Sequence, residues 1–389
     1  MSKQKRTHYN PLLFYLTAMA SNNILSSSQF ALNSHFSSPS PTSFQPSTYR
    51  EYESEEIDWD NLGFKVIPTD YMFIAKSCLD GNFEPGQLNP FGNIQLSPAA
   101  GILNYGQGLI EGTKAYRRED GRIYLFRPQD SALRMQIGAE RLCMPFPSVD
   151  QFVDALKQTA LANNRWIPPA GKGSLYLRPL LMGSGAVLGV APAPEYTFLV
   201  YSCPVGNYFK DGTGALSLYV EEEFHRAALG GAGGIKSITN YAPVMKAMRN
   251  AKGKGFADVL YLDSVNNKYI EEASSSNIFL VKGKVISTPK ANGTILEGVT
   301  KKSVIDIAHD LGYQVEERAI EAEELITADE VFCTGTALGV AVVGNITYKG
   351  KKIEYKISSE MISQQLNLRL VGIQRGTIED KRDWIVEVK

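Results

Sequence analysis

The chain has 389 residues, of which 43% are hydrophobic and 21% charged, a balance that excludes global disorder and allows more than one domain. Forty bases against 41 acids leave a net charge of −1, which excludes a nucleic-acid binder built on a basic surface. Four histidines and four scattered cysteines (Cys78, Cys143, Cys203 and Cys333), none in a CxxC pair, argue against a metal centre or a disulfide scaffold, and no apolar run reaches the ~18 residues of a bilayer crossing.

Residues 1–50 carry Lys3, Lys5, Arg6 and Arg50 but no Asp or Glu, and are rich in serine. With no sustained period of 2 or 3.6 they cannot bury a core, so they read as a disordered organelle transit peptide. Scarce arginine favours a plastid (chloroplast) over a mitochondrion. Met19-Ala20-Ser21 offers an alternative start. A secretory signal ending at Ala18-Met19-Ala20 and a plain cytosolic tail are the competing readings.

Ordered sequence begins near Asp58-Trp59. Residues 64–75 and 92–117 read as strands and turns. A helix follows Phe126-Arg127-Pro128, with Met135, Ala139 and Leu142 on one face. A second helix spans about 150–163, with Val153, Leu156 and Ala160 aligned. Apolar strands Ser174–Leu181 and Tyr196–Cys203 flank a Gly/Pro-rich loop, Gly183–Pro194. A small α/β domain over 51–208, a linker over 209–216 and a larger domain over 217–389 account for the body. In the larger domain, a strand at Leu216–Val220 leads into alternating strands and helices. Helix 300–311 there ends at Gly312, a C′ glycine.

The densest signal is Gly230-Gly231-Ala232-Gly233-Gly234-Ile235-Lys236. Ile235 stands where a Walker A loop needs glycine, and no GxGxxG is present, so a nucleotide site is weakly supported. What remains is a lysine among small, flexible residues, able to form a Schiff base if its site is dry. Tyr241 follows five residues later. Glu271-Glu272 precede Asn277 and an apolar strand, where an acid suits a protonated pyridine nitrogen. Asn292–Lys301 opens a helix whose amides and Thr300 hydroxyl suit a phosphate, and Thr334-Gly335-Thr336-Ala337 offers further amides. Singly, each has a bland reading: a solvated lysine, a solvated acidic turn, a capping threonine, an arginine in a surface ion pair at 134.

Together these segments, with LNYGQGLIEGTKAYR (103–117), FRPQDSALRM (126–135), SLYLRP (174–179) and CPVGNYF (203–209), resemble the branched-chain amino acid aminotransferases. These are two-domain α/β (α+β) pyridoxal 5'-phosphate enzymes of fold type IV, D-amino acid aminotransferase-like. The resemblance covers about residues 57–389. TDYMF (69–73) and NPFGNIQLSPAAGILNYGQG (89–108) place it nearest the plant organellar branch.

The resemblance implies that Lys236 forms the Schiff base and moves the catalytic proton. Glu272, rather than Glu271, would meet the pyridine nitrogen, Tyr241 the phenolic oxygen, and Leu296 the ring. Arg134, Val299, Thr300 and Thr336 would hold the phosphate. The Thr336 and Ala337 amides would meet the substrate carboxylate, with Tyr105, Ile110, Tyr176 and Arg178 around the side chain. Leu188 and Val190 would reach into a partner's pocket, making a homodimer the working unit. The implied reaction is reversible amino transfer between leucine, isoleucine or valine and 2-oxoglutarate, with Arg178 accepting the distal carboxylate of glutamate. Competing readings are D-amino acid transamination, aminodeoxychorismate lysis, a methionine-type aminotransferase and a non-catalytic relative. Ile110 replaces a common aromatic, Thr113 an apolar residue, and Leu338 and Ala341 the Cys-x-x-Cys of animal members.

Overall fold

A computed structural model describes residues 57–208 and 214–389. Residues 1–50 and most of the expected linker, 209–213, lie outside the described residues. The body packs as one unit around two sheets.

The first sheet is antiparallel, in the order Ile385–Val388, Ile123–Phe126, Thr113–Arg117, Ser174–Gly183, Glu195–Val205, Tyr71–Cys78, Gln87–Pro90. Gly108–Ile110 joins the far end of Ser174–Gly183. The long hairpin of Ser174–Gly183 with Glu195–Val205 is its spine. Chain order and sheet order part company at one place: the last strand, Ile385–Val388, leaves the second half of the sequence and pairs with Ile123–Phe126.

Two helices cover the inner face. Pro128–Arg141 starts with proline in the first turn, after Arg127 at φ 48°. Met135 and Ala139 are buried as expected, while Leu142 lies just past the helix end. Val149–Ala162 begins with a reciprocal cap: Ser148 Oγ accepts from Gln151 N, and Gln151 Oε1 accepts from Ser148 N, each at 3.1 Å. It buries Phe152, Ala155, Leu156 and Ala160, with the Phe152 ring 5.5 Å from Phe198. Val153, expected on this face, is half-buried.

The second sheet is mixed, in the order Ile270–Ala273, Asp258–Leu262, Leu216–Glu221, Gly339–Tyr348, Glu330–Gly335, Asn277–Lys282, Val285–Pro289, Gln314–Arg318. Three of its pairings are parallel. Helix Val299–Asp310 packs behind it and stops before Gly312, whose φ of 81° is the left-handed turn that glycine permits. Each sheet has its own apolar core. A third cluster joins them: Phe126 meets Trp384 at 5.7 Å beside Phe279 stacked on Phe332 at 4.9 Å.

Candidate active site

The glycine-rich segment before Lys236 is pinned, not loose as its composition suggests. Gly234 N donates to Gly293 O at 2.8 Å. The Asn240 amide donates to Ala232 O and Ile235 O at 2.8 and 2.9 Å. Ile110 N donates to Lys236 O at 3.1 Å, fastening the lysine backbone to the first sheet. The side chain then has little freedom: Lys236 Nζ donates to Tyr241 Oη at 3.1 Å and makes no ion pair among the described residues. An amine held by a hydroxyl and unclaimed by a carboxylate is available for carbonyl chemistry.

Strand Ile270–Ala273 brings up two acids. An irregularity in its pairing with Asp258–Leu262 lets Glu271 and Glu272 both turn inward, 4% and 2% exposed. The solvated-turn reading of this pair therefore fails. Their partners differ. Glu271 Oε1 accepts from the Thr294 hydroxyl, and its Oε2 has no partner. Glu272 Oε1 accepts from Leu296 N at 2.7 Å and pairs with Arg226 at 3.0 Å, and its Oε2 accepts from Asn277 Nδ2 at 3.3 Å. Burial pushes the Glu272 carboxyl up to about 7, against the pull of Arg226, the Leu296 amide and Lys236. Burial raises Glu271 as well.

Arg134 is not on the surface. Its guanidinium is 11% exposed and grips fully buried Glu111 through two 2.7 Å bonds, while NH1 donates to Glu297 O at 3.1 Å. Burial opposes its charge, yet Glu111 holds its pKa above the ordinary value. Next to Glu111, Gly112 lets the Tyr176 ring approach: a Cβ there would overlap the Tyr176 hydroxyl. Arg178 NH2 donates to that hydroxyl at 3.4 Å, and burial opposes the Arg178 charge while Tyr176 supports it.

Val299 and Thr300 form the first turn of helix Val299–Asp310. Gly298 takes the N-cap position and no side-chain cap is formed, so Thr300 is not a capping residue. A Cβ on Gly298 would strike Asn277 Oδ1, so the helix start can approach strand Asn277–Lys282 only as glycine. Val299, Thr300, Thr336 and Ala337 line one wall of a cavity of about 760 Å³ that also reaches Lys114, Tyr116 and Arg375. Lys236 and Glu272 do not line it, so this cavity adjoins the lysine site and is not identical with it. Lys114 Nζ donates to Ala337 O at 3.0 Å, and burial pushes its pKa down to about 8.

The structure does not place all expected side-chain contacts together. Tyr105, at the end of the short helix Gly101–Tyr105, donates its hydroxyl to Leu188 O, so it belongs with the loop that carries Leu188 and Val190. Both of those are almost fully exposed, at 92% and 89%. Ile110, by contrast, ends strand Gly108–Ile110 beside the Lys236 backbone. Sequence reasoning missed Arg226 and the role of Glu111. Glu111 stood inside a quoted motif. Arg226 is a lone base after Glu221-Glu222-Glu223, and nothing local marks it.

Among the described residues no helix is long and apolar enough to cross a membrane. No group of three or more His, Cys, Asp and Glu among them could hold a metal ion.

The family model for class IV amino-transferases matches residues 108–346. The chain is 65% identical over 333 residues to chloroplastic branched-chain-amino-acid aminotransferase 2 of Arabidopsis thaliana, covering 86% of each chain. It is 63% identical over 336 residues to mitochondrial branched-chain amino acid aminotransferase 1 of Humulus lupulus, again covering 86% of each. In three dimensions it resembles the branched-chain aminotransferase of the thermophilic archaeon Thermoproteus uzoniensis with norvaline. The TM-score is 0.71 at 25% identity, over 82% of this chain and 100% of that one. A branched-chain amino acid aminotransferase from T.th., solved with pyridoxamine 5'-phosphate, superposes equally well. Its TM-score is 0.71 at 26% identity, over 82% of this chain and 99% of that one. Fold, family model and long, close relatives agree: the chain belongs to the class IV aminotransferases and, within them, to the branched-chain amino acid aminotransferase family.

Proposed function

We propose that this chain binds pyridoxal 5'-phosphate at Lys236 and moves an amino group between leucine, isoleucine or valine and 2-oxoglutarate. The observation that carries this reading is the pairing of a carboxylate-free lysine amine, 3.1 Å from Tyr241 Oη, with the buried acid Glu272. The residues fit the cofactor in three ways. Glu272 is a dry acid for a ring nitrogen. The uncapped start of helix Val299–Asp310 offers amides to an anion, with Arg134 as the nearby cation on Glu297 O. Gly112 and Gly298 let the Tyr176 ring and the Asn277 amide close in on the site. When bound, pyridoxal phosphate supplies an aldehyde for amines and a ring that draws electrons from the substrate α-carbon.

Lys236 Nζ would bind the aldehyde and, as a free amine, would move the proton from the substrate α-carbon. Tyr241 Oη orients that amine. Glu272 keeps a proton on the ring nitrogen. Leu296 packs on the ring, while Arg134, Val299, Thr300 and Thr336 hold phosphate. Thr336 and Ala337 amides take the substrate carboxylate, and Ile110, Tyr176 and Arg178 bound its side chain. The pyridoxamine 5'-phosphate bound to the T.th. relative supports the cofactor assignment.

The test is borohydride reduction of the purified holoprotein followed by peptide mapping. Cofactor fixed on the Lys236 peptide, and loss of leucine–2-oxoglutarate turnover by several orders of magnitude in Lys236→Ala, are expected. Cofactor fixed on another lysine overturns the assignment.

The apolar loop tip at Leu188 and Val190 supports a homodimer in which it enters the neighbouring site, together with Tyr105. Leu188→Asp should then lower the sedimenting mass and the activity together. Relatives named chloroplastic and mitochondrial support an organelle address, and we assign residues 1–50 to the plastid. A reporter fused to residues 1–50 should enter plastids, and routing to mitochondria or the secretory path overturns that choice.

A further inference from the structure

Arg226 is a buried charge with no place in the chemistry above, and it touches three of the segments that do have one. It lies between strand Leu216–Glu221 and the Lys236 segment, 6% exposed. Its NH1 meets Glu272 Oε1 at 3.0 Å, Thr294 O at 3.1 Å and Gly233 O at 3.5 Å. Gly233 is three residues before Lys236. Thr294 is two residues before Leu296, whose amide binds the same Glu272 oxygen at 2.7 Å. One guanidinium thus joins the lysine segment, the acid strand and the loop under the expected cofactor ring.

We propose that Arg226 is the positioning residue that draws Glu272 toward its ionised form and presents its Oε2 to the cofactor ring nitrogen; this rests on the assignment of pyridoxal phosphate to the Lys236 site. A carboxylate 2% exposed and without a cation takes up a proton. A neutral Glu272 has no charge with which to hold a proton on the ring. Arginine suits the task because its charge is permanent, and the Thr294 and Gly233 carbonyls hold the nitrogen that faces Glu272 Oε1. The geometry is also asymmetric. Oε1 is saturated by Arg226 and the Leu296 amide, whereas Oε2 has only the 3.3 Å bond from Asn277. Oε2 is therefore the atom left for a ligand. Lysine at 226 would retain the charge that favours ionised Glu272. Glutamine would retain polarity and lose the charge.

The experiment compares Arg226→Gln, Arg226→Lys, Glu272→Gln and the double variant Arg226→Gln/Glu272→Gln, each purified with pyridoxal phosphate. It reads the cofactor dissociation constant by equilibrium dialysis, and kcat and KM for leucine. In Arg226→Gln, kcat falls roughly 10²-fold with little change in KM, the pattern for loss of an interaction made in the transition state. The cofactor dissociation constant rises about tenfold, as for loss of a charge-assisted contact. Arg226→Lys recovers most of the kcat. In the cycle, removing Arg226 from Glu272→Gln changes neither quantity more than about twofold, because Arg226 acts through Glu272. The double variant leaves no unpaired buried charge at this pair, so it answers the question even where Arg226→Gln does not fold. Wild-type kcat and affinity in Arg226→Gln, failure of lysine to restore kcat, or a further large loss in the double variant each overturn the proposal. Wild-type protein that binds no pyridoxal phosphate would overturn the underlying cofactor reading instead.

Discussion

Arg134 and Glu111 form a two-pronged ion pair, both bonds 2.7 Å, in which the acid has no exposed surface at all. The arginine therefore serves the fold as well as the phosphate contact proposed for it. Arg134→Ala leaves Glu111 buried and unpaired, which costs about 3–5 kcal/mol. The melting temperature should drop sharply. Arg134→Ala/Glu111→Gln removes the stranded charge and should regain most of that loss. On the proposed phosphate contact, pyridoxal phosphate affinity should stay roughly 10- to 100-fold weaker in both. A double variant with wild-type affinity, measured by dialysis, would confine Arg134 to a structural role.

Glu271 and Glu272 are both buried, so burial cannot tell them apart and partners must. Glu272→Gln should retain cofactor and lose turnover by about 10²–10³-fold, the usual loss for one electrostatic group aimed at developing charge. Glu271→Gln retains an oxygen for the Thr294 hydroxyl and should turn over at nearly the wild-type rate. Steady-state assays with leucine and 2-oxoglutarate rank the two. The reverse order would shift the site by one residue.

The Glu272 carboxyl, held near 7 against an ordinary value of 4.5, makes apo-protein stability depend on pH. A raised acid binds its proton more tightly when folded, so its contribution is complete below about 4.5 and is lost as pH rises through about 7. Melting temperatures of cofactor-free wild type minus those of Glu272→Gln should therefore be highest near pH 4.5 and decline toward about pH 7, the top of that window. A difference that is flat across this window would show Glu272 ionised throughout.

Ile110 ends its strand where the backbone meets Lys236, so its side chain is well placed to form a pocket wall. Isoleucine is smaller than an aromatic ring and leaves room for longer unbranched side chains. Ile110→Phe should lower the methionine-to-valine ratio of kcat/KM by roughly ten- to a hundredfold, since one methylene in an apolar pocket is worth about 1–3 kcal/mol. An unchanged ratio would remove Ile110 from the wall.

Local signals were readable wherever one segment supplies its own geometry. Pro128 starts a helix and Gly312 closes one because proline and glycine constrain their own backbone. The choice of Glu272 over Glu271 rested on its distance from Asn277, and the structure joins Asn277 to Glu272 across the turn. Arg226 was invisible because its partners come from 233, 272 and 294, and no short window contains them. The burial of both Glu271 and Glu272 was not legible, because a strand normally alternates faces and the pairing irregularity that turns both acids inward leaves no local mark. Tyr105 was grouped with Ile110, Tyr176 and Arg178 around the substrate side chain, and its hydroxyl reaches Leu188 O instead.

The return of Ile385–Val388 to the first sheet sets a schedule for biosynthesis. Ile385 pairs with Phe126, 259 residues earlier. At roughly 5–20 residues per second, a ribosome leaves Ile123–Phe126 without its outer neighbour for about 10–50 s. During that interval the nascent chain presents an open strand edge, the kind of surface that recruits other strands. A transcript ending a handful of codons early would make that interval permanent. Such a product would retain every residue of the lysine site and still be prone to aggregate, so for this enzyme the last four-residue strand is a quality checkpoint on the whole message.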